Sequence, residues 1–387
     1  MRIRTLPLVP VLLAAAGCAV APSGGREDSP AWPYPAVASR TDPDIIAGRP
    51  RFTGRWIEAD PDQDRVIVES SIRNILILFS FQDPRDLQYL DLGPGAEVEN
   101  VAFTDNGRSA LLVGAVRSPH ASNAVFSRAL LQVDLDRLEM VDNFTLSRDG
   151  DARGFAVDDY RHRAYLLNDD GAGNGTVQAI DLYGGGRGAR TAVGPVPWRV
   201  ARRGLALNRN GTRILCLAGG ESARSDFAPV DTVASAGPGL LFLEPDSLGV
   251  VSRVDLDPNF EPVALGYDAT RDRAYVLEVG HDRSVVLIVD AAFADTRARV
   301  PLPEQTTDMV LAGGYAFLPG ARGIYIVDLD LESWISRPDL AFDITGEIAV
   351  DPNLSGACVM FHAALHGGNP GVAVVSLEDG SVLDVLQ

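Results

Sequence analysis

The stretch "IYIVDLD" (324–330) decides the fold, because the chain writes it repeatedly. It recurs as "LILFSFQD" (76–83), "LLQVDLD" (130–136), "VQAIDLY" (177–183), "LLFLEPD" (240–246), "VLIVDAA" (286–292) and "VAVVSLED" (372–379). These seven copies lie 38 to 63 residues apart, mostly near 47. Before each stands an apolar strand, a turn and a second apolar strand, as in "VAFTDNGRSALLVG" and "ALGYDATRDRAYVLE". After each comes a short fourth strand such as "LQYLDLG" or "SVLDVLQ". Period-two alternation with Gly, Asn and Asp at the turns predicts antiparallel hairpins, not helices.

One such unit cannot bury both of its faces alone, so the repetition predicts radial closure. The fold class is all-β: a seven-bladed β-propeller of four-stranded antiparallel blades over 51–387, preceded by a signal peptide and a Pro-rich tether. The units resemble the YVTN-type surface-layer propeller repeat, best in "YDATRDRAYVLE" (267–278) and "LNRNGTRILCLA" (207–218). The sixth unit, "LAGGYAFLPG", has lost most of the turn. That resemblance implies a fold and is nearly silent on function, since propellers host unrelated activities.

The chain of 387 residues is 46% apolar and 22% charged, enough to bury a large core. Its formal charge of −18 repels phosphate backbones and argues against nucleic acid as a partner. Every basic residue is Arg, so Schiff-base and Lys-base chemistry are excluded.

The N-terminus, "MRIRTLPLVPVLLAAAGCAV", has the form of an export signal over 1–17: Arg2 and Arg4, then an apolar run ending in small residues. Its end, "LLAAAGC", resembles the bacterial lipobox, with Ala15 where Leu is commoner. The resemblance implies lipid attachment at Cys18, a membrane partner through that lipid, and an outer-membrane address if the host has two membranes. Residues 18–50, rich in Pro, Gly and Ser, read as a flexible tether.

In a propeller the connections between units share one face with the turns between second and third strands. That face is expected to bind, because it collects His120, His281, His362 and His366 and the longest insertion, 219–239. Five residues before each first turn stand Arg55, Asn100, Arg153, Arg203, Val263, Asp308 and Gly346, a ring near the channel mouth, with Glu347 beside it. The Arg residues either form an anion site or pair with carboxylates of neighbouring blades. First-turn Asp60, Asp105, Asp158, Asp268 and Asp351 are expected to bond their own backbone rather than a metal.

No Gly-x-Ser-x-Gly elbow occurs, and Cys216 and Cys358 sit in apolar strands of different units as expected buried thiols. No cofactor or metal is expected. The reading that results is a lipid-anchored envelope propeller serving as a binding or scaffolding platform for a protein partner or an anionic small molecule. The alternative is a lactonase-type hydrolase at the channel mouth, to which the calcium-dependent lactonase propellers would lend Asn100, Asp308 and Glu347.

Overall fold

In the computed structural model, the residues described are 52–70, 74–92, 96–117, 126–146, 150–170, 174–183, 187–197, 199–208, 210–219, 237–321, 323–336, 338–340, 342–362 and 370–386. They form seven sheets, each of four consecutive antiparallel strands. Numbered in chain order, the blades span 52–91, 97–145, 151–194, 205–255, 261–301, 310–336 and 344–386. Cys18, His120 and His366, and most of the 219–239 insertion, lie outside the described residues, as do the side chains of Arg55 and His362.

Burial follows strand position. Second and third strands are buried along their whole length in several blades, as at Val66–Ser70 and Ile75–Phe79. Fourth strands are the exposed rims, as at Asp295–Pro301. First strands face the axis. The core is a series of layers between blades: Ile57, Val68 and Ile77 of blade 1 pack on Ala349, Met360 and Val374 of blade 7. Each fully buried aliphatic side chain contributes about 1.5–3 kcal/mol, so these sandwiches hold the ring. Cys216 and Cys358 are free and fully buried, and burial pushes both thiols well above their ordinary range.

The repeated motif has a local physical cause. Its Asp closes the turn into the fourth strand: Asp328 Oδ1 accepts from the N–H of Asp330 at 2.8 Å, Asp290 Oδ1 from Ala292 at 3.0 Å, and Asp134 Oδ1 from Asp136 at 3.0 Å. The residue after that Asp reaches back to the first turn of its own blade, as Leu135 N donates to Arg108 O at 2.9 Å and Leu329 N to Gly314 O at 3.1 Å. Of the five first-turn Asp residues, Asp60, Asp268 and Asp351 each accept a backbone N–H two residues on and Asp158 accepts one three residues on, as expected from sequence, whereas at Asp105 it is the backbone carbonyl that accepts, from Arg108 N.

Arg residues at the start of second strands staple blades together. Arg65 donates to Asp136 at 3.1 Å and to Gly107 O at 2.9 Å, Arg163 pairs with Asp246, and Arg273 donates to Glu332 at 3.3 Å.

Candidate functional site

The site begins with two glycines that let blades 3 and 4 touch. A Cβ on Gly154 would lie 2.7 Å from Leu205 Cβ, and one on Gly204 would lie 2.7 Å from Arg153 O. Without them Gly204 N donates to Arg153 O at 2.9 Å and Leu265 N to Arg203 O at 2.8 Å, so the entry to blade 4 is stitched to both neighbours. This places Arg202 and Arg203 on the axis.

Arg202 is 95% buried by its 5% side-chain exposure, and it crosses the ring. Its Nε donates to Glu347 Oε1 at 2.9 Å, and its Nη2 donates to Ile57 O at 3.1 Å, to Glu58 Oε2 at 3.0 Å and to Glu347 Oε2. Its guanidinium carbon stands 5.1 Å from the centre of the Trp56 ring. Its Nη1 is buried with no hydrogen-bond partner among the described residues. Arg203 donates through Nη2 to Glu58 Oε2 at 3.2 Å, and its Nε lies 3.2 Å from Asp308 Oδ1. The carboxylates are themselves held: Glu347 Oε2 accepts from Ile57 N and Asp308 Oδ2 from Ile348 N, each at 3.3 Å. Asn100 Nδ2 donates to Arg202 O at 3.0 Å while its Oδ1 accepts from Val101 N at 2.9 Å.

Of the ring expected at the channel mouth, the structure therefore brings together Asn100, Arg203, Asp308 and Glu347, and adds Arg202 and Glu58. Arg153 stands apart, donating to Val200 O at 3.4 Å and to Asp151 at 3.3 Å. Arg55 contributes its backbone to the first strand of blade 1. His281 is exposed in the turn between second and third strands of blade 5, where its carbonyl accepts from Gln305 Nε2 at 2.8 Å. His362 ends the second strand of blade 7.

Electrostatics follow from two guanidinium groups meeting three carboxyls in a dry place. Burial alone would lower the Arg202 pKa, but Glu347 and Glu58 outweigh it and hold the group above its ordinary value. Arg203 is raised in the same way, with Asp308 the largest opposing charge. Burial pushes the Glu347 carboxyl above the usual carboxylate range, Arg202 pulling against it and Asp308 adding to it.

This cluster forms the inner end of an axial cavity of about 520 Å³. Its walls include the apolar side chains Val101, Phe103, Leu265, Leu311 and Val350 from the first strands of four blades. Glu58 and Arg203 line it, and Pro61, Gly313 and Pro352 mark its end at the first turns. The cavity thus reaches toward the first-turn face, whereas the sequence directs attention to the opposite one. Glu58 occupies the position held in the other six units by Phe103, Ala156, Ala206, Gly266, Leu311 and Ala349. One acid among six small or apolar equivalents was the signal in the sequence for this site.

No protein-family model matches the chain, and no curated protein matches it. Among solved structures it is similar to Kuenenia stuttgartiensis hydrazine synthase, with a TM-score of 0.60 and 13% identity over 84% of this chain and 96% of that one. It is also similar to the dihydro-heme d1 dehydrogenase NirN in complex with DHE, with a TM-score of 0.52 and 13% identity over 86% of this chain and 65% of that one. At such identity the likeness concerns the fold: the chain is a seven-bladed β-propeller, and among the described residues its axis carries a buried ion cluster at the inner end of a cavity.

Proposed function

We propose that this chain is an exported, lipid-anchored envelope propeller that binds a small ligand in its axial cavity and presents it from a tethered, rigid ring. The observation that carries the reading is the cavity itself, of about 520 Å³, lined by side chains of the first strands, several of them apolar, with Glu58 and Arg203 at one end. Volume and lining are those of small-molecule sites, in which a few polar groups orient a mostly apolar ligand. Anchoring rests on the lipobox resemblance at Cys18, and reach on the Pro-rich segment 18–50.

The hydrolase alternative draws on Asn100, Asp308 and Glu347. Those three side chains are engaged with Arg202, Arg203 and backbone groups, an arrangement that favours binding over lactone chemistry.

The test has two arms. Cys18→Ser should move the protein from the membrane to the soluble fraction; unchanged fractionation ends the anchoring claim. Full-length protein purified from its native envelope in mild detergent should release a small molecule on denaturation, and Ala102→Phe, which fills the cavity from the wall of blade 2, should release none. Equal release from both proteins, or none from either, ends the cavity claim.

A further inference from the structure

The inner end of the cavity restricts what its ligand can be, and the inference rests on the cavity reading above. Glu58 receives both of its guanidinium bonds on Oε2, from Arg202 at 3.0 Å and Arg203 at 3.2 Å. Its Oε1 makes no hydrogen bond among the described residues. Arg203 spends Nη2 on Glu58 Oε2 and Ile348 O and sets Nε beside Asp308, leaving Nη1 without a bond among the described residues. These two side chains keep accessible surface, 23% for Glu58 and 17% for Arg203, and both line the cavity. Arg202, Asp308 and Glu347 keep less, at 5%, 7% and 12%. The cluster therefore offers the cavity one free acceptor, Glu58 Oε1, and one free donor, Arg203 Nη1, each a single covalent fork away from their shared Nη2–Oε2 contact.

Charge decides between head groups that would fit this pair. Two guanidinium groups face three carboxyls, so the cluster has no positive charge to spare. An incoming anion could accept from Arg203 Nη1 but would bring its charge beside Glu58 Oε1 and Asp308, in a cluster whose two guanidinium groups are already engaged with carboxylates. A lone cation would satisfy Glu58 Oε1 but set its charge against Arg203. A neutral head carrying an N–H donor beside a carbonyl acceptor meets both groups, as buried polar atoms require.

We infer that the axial cavity binds an uncharged amide-type ligand, a primary carboxamide or lactam on a compact apolar body, with the amide N–H donating to Glu58 Oε1 and its carbonyl accepting from Arg203 Nη1. The apolar body lies against Phe103, Leu265 and Leu311 on the way to the first turns.

The experiment uses the full chain in mild detergent and three probes of one shape: 1-adamantanecarboxamide, 1-adamantanecarboxylate and 1-adamantylamine. Calorimetric titration should show the carboxamide binding at least tenfold tighter than the carboxylate, with the amine between them. Glu58→Gln removes one negative charge and should close the gap between carboxamide and carboxylate. Ala102→Phe and, independently, Ala312→Phe at the outer end should abolish binding of all three, with melting temperature confirming that each variant is folded. Carboxylate or amine binding wild type as tightly as the carboxamide, with loss in the filled variants, overturns the amide assignment and leaves the cavity site standing. Binding indifferent to both filled variants, or no binding to wild type, removes the cavity site and the assignment with it.

Discussion

Arg202 joins three blades through one side chain. It leaves blade 4, crosses the axis and bonds Ile57 O and Glu58 of blade 1 and Glu347 of blade 7. Replacing it by Met keeps most of the apolar stem and takes from Glu347 its guanidinium partner, while Glu58 keeps Arg203; removing one partner of a buried pair costs about 3–5 kcal/mol. Urea unfolding of Arg202→Met should show that loss, and adding Glu347→Gln should return part of it; a single variant within about 1 kcal/mol of wild type would mean the cluster is solvated rather than buried. The sequence pointed to Arg203 because the repeat aligned it with six equivalents. Arg202 stayed hidden because strand alternation fails just before a first strand, where Arg203 makes only an isolated bridge to Gly154. Glu58 was legible by comparison with its apolar equivalents, but alignment by first-turn position drew the eye to the ring three residues earlier.

Strands were read from the period of two, and all four per blade stand where the repeats placed them. Less legible was how the third-to-fourth turns end. Leu138, Leu248, Ala294 and Glu332 each sit four residues after the capping side chain with φ between 51° and 56°, the left-handed region that disfavours residues with a Cβ. Blade 7 meets the same need with Gly380 at φ 72°. A bulge in the adjoining strand accompanies each turn, as between Ile288 and Val289. In sequence these positions carry no Gly signal, because bulge register and the Asx bond together impose the conformation. Ala294→Gly should therefore stabilise the chain by about 1 kcal/mol. Asp290→Ala, which removes the acceptor for Ala292 N and Phe293 N, should cost about 1 kcal/mol. Thermal melts of the two variants check the pair of signs. Arg65, Arg163 and Arg273 were equally visible as a recurrent Arg before the second strand, yet their partners lie in the next blade, and one strand's sequence cannot name an acid 71 residues away.

At the scale of the ring, the number of blades was legible and the manner of closure was not, because residues 43–50, read as tether, carry no pattern that decides whether they add a strand to the last blade. Among the described residues, blade 7 completes its own sheet with Val382–Leu386, so each blade comes from one continuous stretch. The seam between blades 7 and 1 is then held as other boundaries are, by an apolar layer that includes Ile57, Val68, Met360 and Val374, by Ile57 N on Glu347, and by Arg85 on Asp384 at the rim. Arg85 is 80% exposed, so solvent screens that last pair and it does not lock the ring. With each blade drawn, among the described residues, from one continuous stretch, the ring has no privileged starting blade. Its termini should be movable wherever a surface turn joins two blades, since closing a short loop elsewhere changes the chain entropy little. The turn at 257–260, between blades 4 and 5, is such a place. A permutant that keeps residues 1–50 at the front, starts the ring at Asn259, joins 386 to 52 by a short Gly-Ser linker and ends at Pro258 should unfold in one transition, with a melting temperature within about 5 °C of wild type. It should also keep the carboxamide site, because the new ends lie away from Glu58 and Arg203. An early partial transition confined to blades 1 and 7 would show instead that the native N-terminal connection clasps the seam. In that case closure would belong to the segment that precedes the first blade.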